Sequence, residues 1–285
     1  YHEALDYFAK RQQQQTVTLL QQKNNPRIEC AVCDDYMDLW QGPLVHNTTV
    51  LGVFELRAYE FGFLLRYPGR QSPLELPPFK DNPTLFSVYS EYKRWGDVLG
   101  VDCVGSLNKL LSNAAATREF IMVAESLHDK KIAEIADRVP QDCRLVLIAG
   151  PSSSGKTTFA KKLAIQLRVL GRKPITVSLD NFYVPRDQTP LDSDGNFDFE
   201  AVEAIDISLL NEKLVSLVSG KATRMPIFNF TSGQRQEDKY ELQIPESGVM
   251  ILEGIHGLNE RLSASIDSGN KFKIFISPLT QLNID

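Results

Sequence analysis

The stretch LVLIAGPSSSGKTTFAKKLAIQL, from Leu145 to Leu167, decides the fold of the second half of this chain. Its opening residues are apolar and predict a buried strand, whereas the residues after 155 have the spacing of a helix. Between them, Gly150–Thr157 matches GxxxxGK(S/T), a loop whose backbone N–H groups bind phosphate oxygens at a helix start. We therefore expect a strand, a phosphate-binding loop and a helix, in that order.

Each part of this loop has an expected role in binding ATP and Mg²⁺. Gly150 and Gly155 let the backbone curl without a Cβ clash. Lys156 would act in catalysis by reaching the β- and γ-phosphates, and the Thr157 hydroxyl would bind Mg²⁺. The predicted nucleotide-binding residues are Gly150, Ser152, Ser153, Ser154, Gly155, Lys156, Thr157 and Thr158.

Strands alternate with helices from Leu145 onward. The predicted strands are RLVLIAG, PITVSLD, GVMILEG and FKIFIS, and the predicted helices cover roughly 155–170, 203–219 and 257–266. Short apolar strands between helices are typical of a parallel sheet that is covered on both faces. We therefore predict an α/β domain over 141–285, a P-loop NTPase-type parallel sheet flanked by helices.

A smaller α+β domain (1–84) and a helical connector (85–140) are predicted before it. The patterns favour a helix over 2–15, β structure in TVTLL and RIECAVCDDYMDLW, and strands near 49–56 and 60–67. A proline-rich loop follows at 69–83, and Pro140 ends the helical pattern of the connector.

Two acidic residues follow predicted strands. Asp180 ends PITVSLD, where it could accept a proton from an attacking hydroxyl and help to hold Mg²⁺; the alternative is a cap for the following turn. Glu253 ends GVMILEG, the Walker B arrangement, in which the acid contacts Mg²⁺ or its waters. The predicted metal-binding residues are Thr157, Asp180 and Glu253, and the predicted catalytic residues are Asp180 and Lys156.

The loop 180–206 is rich in Asp, Tyr and Phe. Such a loop could hold a polyhydroxylated substrate, because carboxylates accept hydroxyl protons and aromatic rings stack; the alternative is a solvated acidic surface. His256 lies three residues after Glu253, and substrate contact, capping and packing are all open for it.

Several motifs occur in an order that resembles the uridine kinase and phosphoribulokinase family. They are GPSSSGKTTF, SLDNFY, NFDFEAVEAID, MPIFNFTSGQR and ILEGIHGLN. The resemblance implies Asp180 as catalytic base, Glu253 as a residue associated with Mg²⁺, and transfer of the ATP γ-phosphate to the 5′-hydroxyl of uridine or cytidine. It also implies a substrate-binding set of Tyr183, Asp198 for the ribose, Phe228 and Arg235.

Two departures from that family matter. Its PxYDF reads PIFNF here, with Phe228 and Asn229 at the changed positions, so the base is left open. The family continues into an arginine-rich lid, and the chain ends before one; we expect weak nucleotide binding and slow turnover without it. Other readings are a kinase of another small hydroxyl compound, as in phosphoribulokinase or pantothenate kinase, and a regulatory NTP- or tRNA-binding protein.

The segment YMDLWQGPLVHNTTVLGVFELRAYEFGFLLRYPG resembles the editing domain of threonyl-tRNA synthetases. Trp40 and Leu44 stand where that family has its editing Cys and His. The resemblance therefore implies a retained scaffold without editing chemistry.

The bulk composition is that of a globular protein, with 285 residues, 42% hydrophobic residues and a net charge of −5. The negative charge disfavours a nucleic-acid partner, and no apolar run reaches the ~18 residues of a membrane span. No signal peptide is visible, so we expect a cytoplasmic protein; a homo-oligomer is left open. Cys30 and Cys33 form a CxxC without a second pair, which favours reduced thiols over a zinc site.

Overall fold

The computed structural model describes residues 1–23, 25–277 and 282–284. The chain divides into two compact units. The N-terminal unit contains Tyr1–Glu119 and 282–284, and the C-terminal unit contains the described residues of Phe120–Thr280. The predicted domain boundaries at 84 and 140 stay predictions.

The N-terminal unit is built from helices and two short antiparallel hairpins. In chain order its elements are α1 (His2–Lys10), α2 (Gln14–Gln21), β1 (Cys30–Cys33), β2 (Tyr36–Leu39), β3 (Glu55–Tyr59), β4 (Gly62–Arg66), α3 (Pro83–Leu99), α4 (Val104–Leu111) and α5 (Ala114–Asp137), the last of which continues into the C-terminal unit. Strand β1 pairs with β2 and β3 pairs with β4, both antiparallel. The β structure predicted in RIECAVCDDYMDLW is confirmed, and it forms a hairpin.

Two predictions near the N-terminus are wrong. The helix expected over 2–15 is broken at Gln12, whose φ of 60° lies in the left-handed region. TVTLL is helical rather than extended, because Val17, Leu19 and Leu20 are buried with Phe8 of α1. Burial at helical spacing therefore outweighs the β propensity of the threonines and valine.

The strand expected near 49–56 is also displaced. Thr48–Leu51 forms a 3₁₀ helix, because the Asn47 side chain accepts a hydrogen bond from the Thr49 N–H at 2.9 Å and starts the turn. Strand β3 begins only at Glu55, and β4 lies within the second predicted strand.

The helical pattern expected over 85–140 is confirmed as α3, α4 and α5, and its role as a connector stays a prediction. Asn82 caps α3 by accepting from the Leu85 N–H at 3.1 Å, and Pro83 occupies its first turn. Gly100, with a φ of 65°, ends α3 in the left-handed conformation.

The C-terminal unit contains a four-stranded parallel sheet flanked by helices, as predicted. Its elements are β5 (Leu145–Ala149), α6 (Lys156–Val169), β6 (Lys173–Ser178), α7 (Ile207–Val218), β7 (Thr223–Asn229), β8 (Gln234–Leu242), β9 (Gly248–Glu253) and β10 (Lys271–Phe275). The strand order in the sheet is β10-β5-β9-β6, with every neighbouring pair parallel.

Alternation along the strands divides the core between the two sheet faces. Val146 and Ile148 of β5 face α6 and the end of α5. Leu145 and Leu147 face the other side, where α7 packs. Because every residue of β5 and β9 is buried, these strands read as continuous apolar runs, which is what a sheet covered on both faces requires.

Two features of this unit differ from the sequence predictions. The antiparallel pair of β7 and β8 was not predicted, since β8 is mostly polar and exposed. The helix expected at 257–266 is only a 3₁₀ turn at Glu260–Ser263, which Asn259 starts by accepting from the Arg261 N–H at 3.0 Å.

Arg144, just before β5, forms hydrogen bonds with the segment that leads into β9. Its guanidinium donates to the carbonyl oxygens of Ile244, Pro245, Glu246 and Gly248 at 2.7 to 3.3 Å. The planar fork of arginine suits several acceptors at once, so this side chain joins the starts of β5 and β9.

Within the part of the chain that the structure describes, none of the helices combines the length and the apolar character that a membrane span requires.

Candidate active site

The loop between β5 and α6 has the curled backbone that its sequence predicts. Gly155 has a φ of 84° and Ser153 a φ of 58°, and α6 begins directly after them at Lys156. Successive N–H groups in such a turn point to one side, next to the positive end of the helix dipole. A Cβ on Gly150 would lie 2.5 Å from the Ile276 carbonyl oxygen, so only glycine fits there.

The side chains of this loop differ in what they contact. Thr157 Oγ1 donates to Glu253 Oε1 at 3.2 Å, and Lys156 Nζ donates to the Pro151 carbonyl at 2.8 Å. Ser154 Oγ is buried without a hydrogen-bond partner among the described residues. The other predicted loop residues, Ser152, Ser153 and Thr158, are exposed.

Glu253 is placed at the site by strand pairing. It is the last residue of β9, opposite Ile148 of β5 and Ser178 of β6, and only 8% of it is exposed. Because the strands are parallel, their carboxyl ends meet at one edge, where the phosphate loop also begins. This pairing brings the predicted Thr157 and Glu253 together.

Asp180 lies at the same edge, in the short 3₁₀ helix Leu179–Phe182 that follows β6. The residue that caps this helix is Ser178, whose Oγ accepts from the Asp180 N–H at 3.2 Å. Burial raises the pKa of the Asp180 carboxyl, the nearby Glu253 carboxylate raises it further, and Lys156 opposes both. Asp180, Glu253 and Lys156 therefore interact electrostatically. The turn after β6 is capped by Ser178 and not by Asp180, which was the alternative role for Asp180.

Tyr183 lies just beyond Asp180, in a cluster of aromatic rings. Its ring packs against Phe199, Phe228 and Phe230, with centroid distances of 5.7 to 6.3 Å. The hydroxyl donates to the Phe199 carbonyl at 3.1 Å, and burial, followed by Asp180 and Glu200, raises the pKa of Tyr183 to about 12. The predicted Tyr183 and Phe228 are thus brought together.

The two charged residues of the predicted substrate set, Asp198 and Arg235, have hydrogen-bond partners within the chain. Asp198 Oδ1 accepts from the N–H groups of Glu200 and Ala201 at 2.9 and 3.0 Å, which forms a turn. Arg235 donates to Asp206 Oδ2 at 3.0 Å and to the Tyr183 carbonyl at 3.3 Å. Within the described residues, no hydrogen bond or ion pair joins Asp198 or Arg235 to Asp180, Glu253 or the phosphate loop.

Two residues near this edge, Ser178 and Arg186, were missed by the sequence analysis. Ser178 caps the helix of Asp180, and the spacing of a serine two residues before an aspartate could have indicated this turn. Arg186 donates to the Phe230 carbonyl at 2.9 Å and lies against Gly233 of the β7–β8 turn. No local signal in the sequence indicates that contact.

The residues at this edge of the sheet fit a nucleoside triphosphate and Mg²⁺. The buried, unpartnered Ser154 hydroxyl and the curled backbone supply donors for phosphate, while Thr157 and Glu253 supply the hard oxygen ligands that Mg²⁺ prefers. Among the described residues, no group of three His, Cys, Asp or Glu side chains could hold a metal by itself.

Residues 145–285 match the sequence model of the Phosphoribulokinase / Uridine kinase family. This confirms the resemblance for that segment. The match begins at Leu145, so the resemblance of the N-terminal segment to synthetase editing domains stays a prediction.

Curated proteins of several names are similar over part of this chain. Uridine-cytidine kinase C of Dictyostelium discoideum is 36% identical over 43% of this chain and 25% of its own length. Uridine kinase of Saccharomyces cerevisiae is 32% identical over 41% of this chain and 23% of its own. Inorganic pyrophosphatase TTM2 of Arabidopsis thaliana is 36% identical over 43% of this chain and 17% of its own. The chain thus matches a quarter or less of the length of each.

Proposed function

We propose that the C-terminal unit belongs to an ATP-dependent kinase that transfers the γ-phosphate to a hydroxyl group of a nucleoside. The single observation that carries this proposal is the edge where Thr157 contacts Glu253 and where Asp180 interacts with Glu253 and Lys156. A phosphate loop alone would serve any nucleotide-binding protein. A half-buried carboxylate beside it, Asp180, supplies the general base that a hydroxyl acceptor needs.

The proposed roles follow from the contacts. The loop N–H groups and Lys156 bind the phosphates, and Lys156 leaves the Pro151 carbonyl to do so. Thr157 and Glu253 hold Mg²⁺, which would neutralise charge on the phosphates when bound. Asp180 accepts the proton of the acceptor hydroxyl as that oxygen attacks phosphorus.

The acceptor is proposed to be uridine or cytidine, phosphorylated at the 5′-hydroxyl. Two of the similar proteins are named as uridine or uridine-cytidine kinases, which supports this choice. The aromatic cluster supports it as well, since Phe230 is exposed and packs against the buried Tyr183 and Phe228, so that its ring offers a face on which a base or sugar can stack. In this proposal the free oxygen of Asp198 binds the ribose, and Arg235 orients the loop through the Tyr183 carbonyl.

The test is an ADP-release assay on the full chain with a panel of nucleosides. We expect uridine or cytidine to stimulate ADP release, and Asp180→Asn to lower the stimulated rate by about 10²–10⁴-fold. The matched control is Asp187→Asn, an exposed aspartate of the same loop, which should behave as the wild type. Unchanged turnover in Asp180→Asn would remove Asp180 as the base.

Hydrolysis of pyrophosphate is a second candidate, supported by the similarity to a protein named inorganic pyrophosphatase. The same edge would then activate water instead of a hydroxyl. Phosphate release from pyrophosphate without a nucleoside would favour this candidate.

ADP release stimulated by a sugar phosphate or pantothenate, and by no nucleoside, would indicate another small hydroxyl acceptor. A tRNA gel shift at controlled salt tests the regulatory alternative.

A further inference from the structure

The four residues after β9 are pressed against the edge that carries the candidate active site. The Gly254 N–H donates to the Ile148 carbonyl at 3.1 Å, and the Gly257 N–H donates to the Gly254 carbonyl at 3.1 Å. A Cβ on Gly257 would lie 2.3 Å from the Ile148 oxygen, and a Cβ on Gly254 would lie 2.6 Å from Leu179 Cβ. This close packing sets Gly254 against Leu179, the residue before Asp180, and Gly257 against β5, with His256 between the two glycines in the chain.

The His256 side chain has an unsatisfied atom at this place. Its Nε2 is buried and has no hydrogen-bond partner among the described residues. Buried polar atoms nearly always have partners, because an unpaired one has lost its water without replacement. An imidazole nitrogen left in this state next to a candidate site has a hydrogen-bonding capacity that a bound ligand could use.

The surroundings of His256 point to the acceptor rather than to ATP. Glu203 belongs to the loop 180–206, and its carboxylate is paired with Arg261 at 2.7 Å. The hydrogen bond from Arg261 chiefly lowers the pKa of Glu203, and the charge of His256 contributes to the same shift. His256 is therefore within electrostatic range of the loop in which the acceptor is proposed to bind.

We propose that His256 is an acceptor-binding residue whose Nε2 forms a hydrogen bond with an oxygen of the hydroxyl-rich acceptor beside Asp180. This inference rests on the proposed function. It assigns a polar contact to a residue that neither the phosphate loop nor the two carboxylates account for. A hydroxyl suits either tautomer of the imidazole, because it can both donate and accept.

Steady-state kinetics of the full chain separate this role from a structural one. His256→Phe should raise the KM for uridine roughly 5- to 100-fold, the worth of one hydrogen bond in a buried site, and leave the KM for ATP unchanged. His256→Gln, which keeps a polar atom near the position of Nε2, should recover most of the loss. His128→Gln, at an exposed histidine of α5, is the matched control and should behave as the wild type.

Imidazole NMR provides a readout if His256→Phe does not fold. With ¹⁵N-labelled histidine, the Nε2 resonance that is absent in His256→Gln should move when uridine is added to the complex with Mg²⁺ and a non-hydrolysable ATP analogue. The analogue alone should leave it in place. A resonance that uridine does not move would overturn the inference.

The outcomes also separate this inference from the proposed function. Wild-type turnover with an unchanged uridine KM in His256→Phe overturns the role of His256 alone. Equal increases of both KM values assign His256 to general packing of the site and overturn the role as well. Wild-type protein that no acceptor of the panel stimulates contradicts the proposed function, and the role of His256 fails with it.

Discussion

Thr157 joins the phosphate loop to the strand that carries Glu253. If its hydroxyl binds Mg²⁺, Thr157→Val should raise the Mg²⁺ concentration needed for half-maximal binding of an ATP analogue by about tenfold or more, because the shape is kept and the oxygen ligand is lost. Thr157→Ser keeps the oxygen and should remain near the wild type. Equal Mg²⁺ dependence in all three proteins would exclude Thr157 as a ligand. Fluorescence of a labelled analogue can follow the titration.

Tyr183 gives the protein a defined sensitivity to alkaline pH. Its pKa rises from 10.0 to about 12 on folding, so the stabilisation is complete below pH 10 and is lost as the pH rises toward 12. At pH 11 the loss is about 1.4 kcal/mol, since each pKa unit is worth about 1.36 kcal/mol. Between pH 8 and pH 11 the free energy of unfolding should therefore fall by about that amount more in the wild type than in Tyr183→Phe.

Urea unfolding followed by circular dichroism measures this difference. Tyr240→Phe provides a second test of the same effect, because burial raises the pKa of that tyrosine as well and the expected change has the same sign. An identical pH dependence in the wild type and Tyr183→Phe would contradict the raised pKa.

The sequence predicts the residues at strand ends better than it predicts those that act through distant partners. Asp180 and Glu253 each follow an apolar strand, and parallel strands bring such ends to one edge. Arg235 was expected at the substrate, yet its charge is paired with Asp206, 29 residues away in sequence. No local pattern encodes such a partner, because it depends on how the β7–β8 hairpin packs.

At the scale of elements, the β7–β8 hairpin depends on Gly233. This residue has a φ of 67°, and a Cβ there would lie 2.9 Å from Arg186 Cβ and Nε. Gly195 has a φ of 82° with open space around its Cβ position, so Gly195→Ala isolates the backbone strain. Gly233→Ala should therefore lower the free energy of unfolding by about 1–3 kcal/mol more than Gly195→Ala does.

A double-mutant cycle identifies the cause of that difference. If contact with Arg186 is responsible, adding Arg186→Ala to Gly233→Ala should recover part of the stability. Strict additivity of the two substitutions would mean that the loss comes from the backbone or from the Arg186 Cβ, which alanine keeps, and not from the guanidinium. Chemical unfolding of the four proteins measures the coupling.

The missed and mistaken elements have related physical causes. Strand β8 is polar because it lies exposed at the surface, so it has no apolar period to detect. TVTLL has the residue types of a strand, but contacts with α1 bury its apolar side chains at helical spacing. The buried strands of the parallel sheet could be predicted because both of their faces are covered.

At the scale of the whole chain, proteolysis should distinguish the two units. The segment 67–82 contains no helix or strand, and Arg70 and Lys80 within it are exposed. Trypsin should therefore cleave at these residues before it cleaves between Leu145 and Phe275, where the strands and α6 form a buried core. Arg70→Gln with Lys80→Gln should slow the first cleavage, as followed by mass spectrometry. Earlier cleavage inside the sheet would contradict this order.

Arg144 implies that the proposed metal site can be disabled from the far end of the sheet. Its guanidinium lies where β5 and β9 start, and Glu253 lies about 16 Å away, five residues along β9 at ~3.3 Å each. A slip of one residue between the strands would turn the Glu253 carboxylate to the opposite face, away from Thr157. Loss of the proposed Mg²⁺ binding would thus follow from a substitution that touches neither nucleotide nor metal, and a lysine, with its single ammonium, would not restore the alignment.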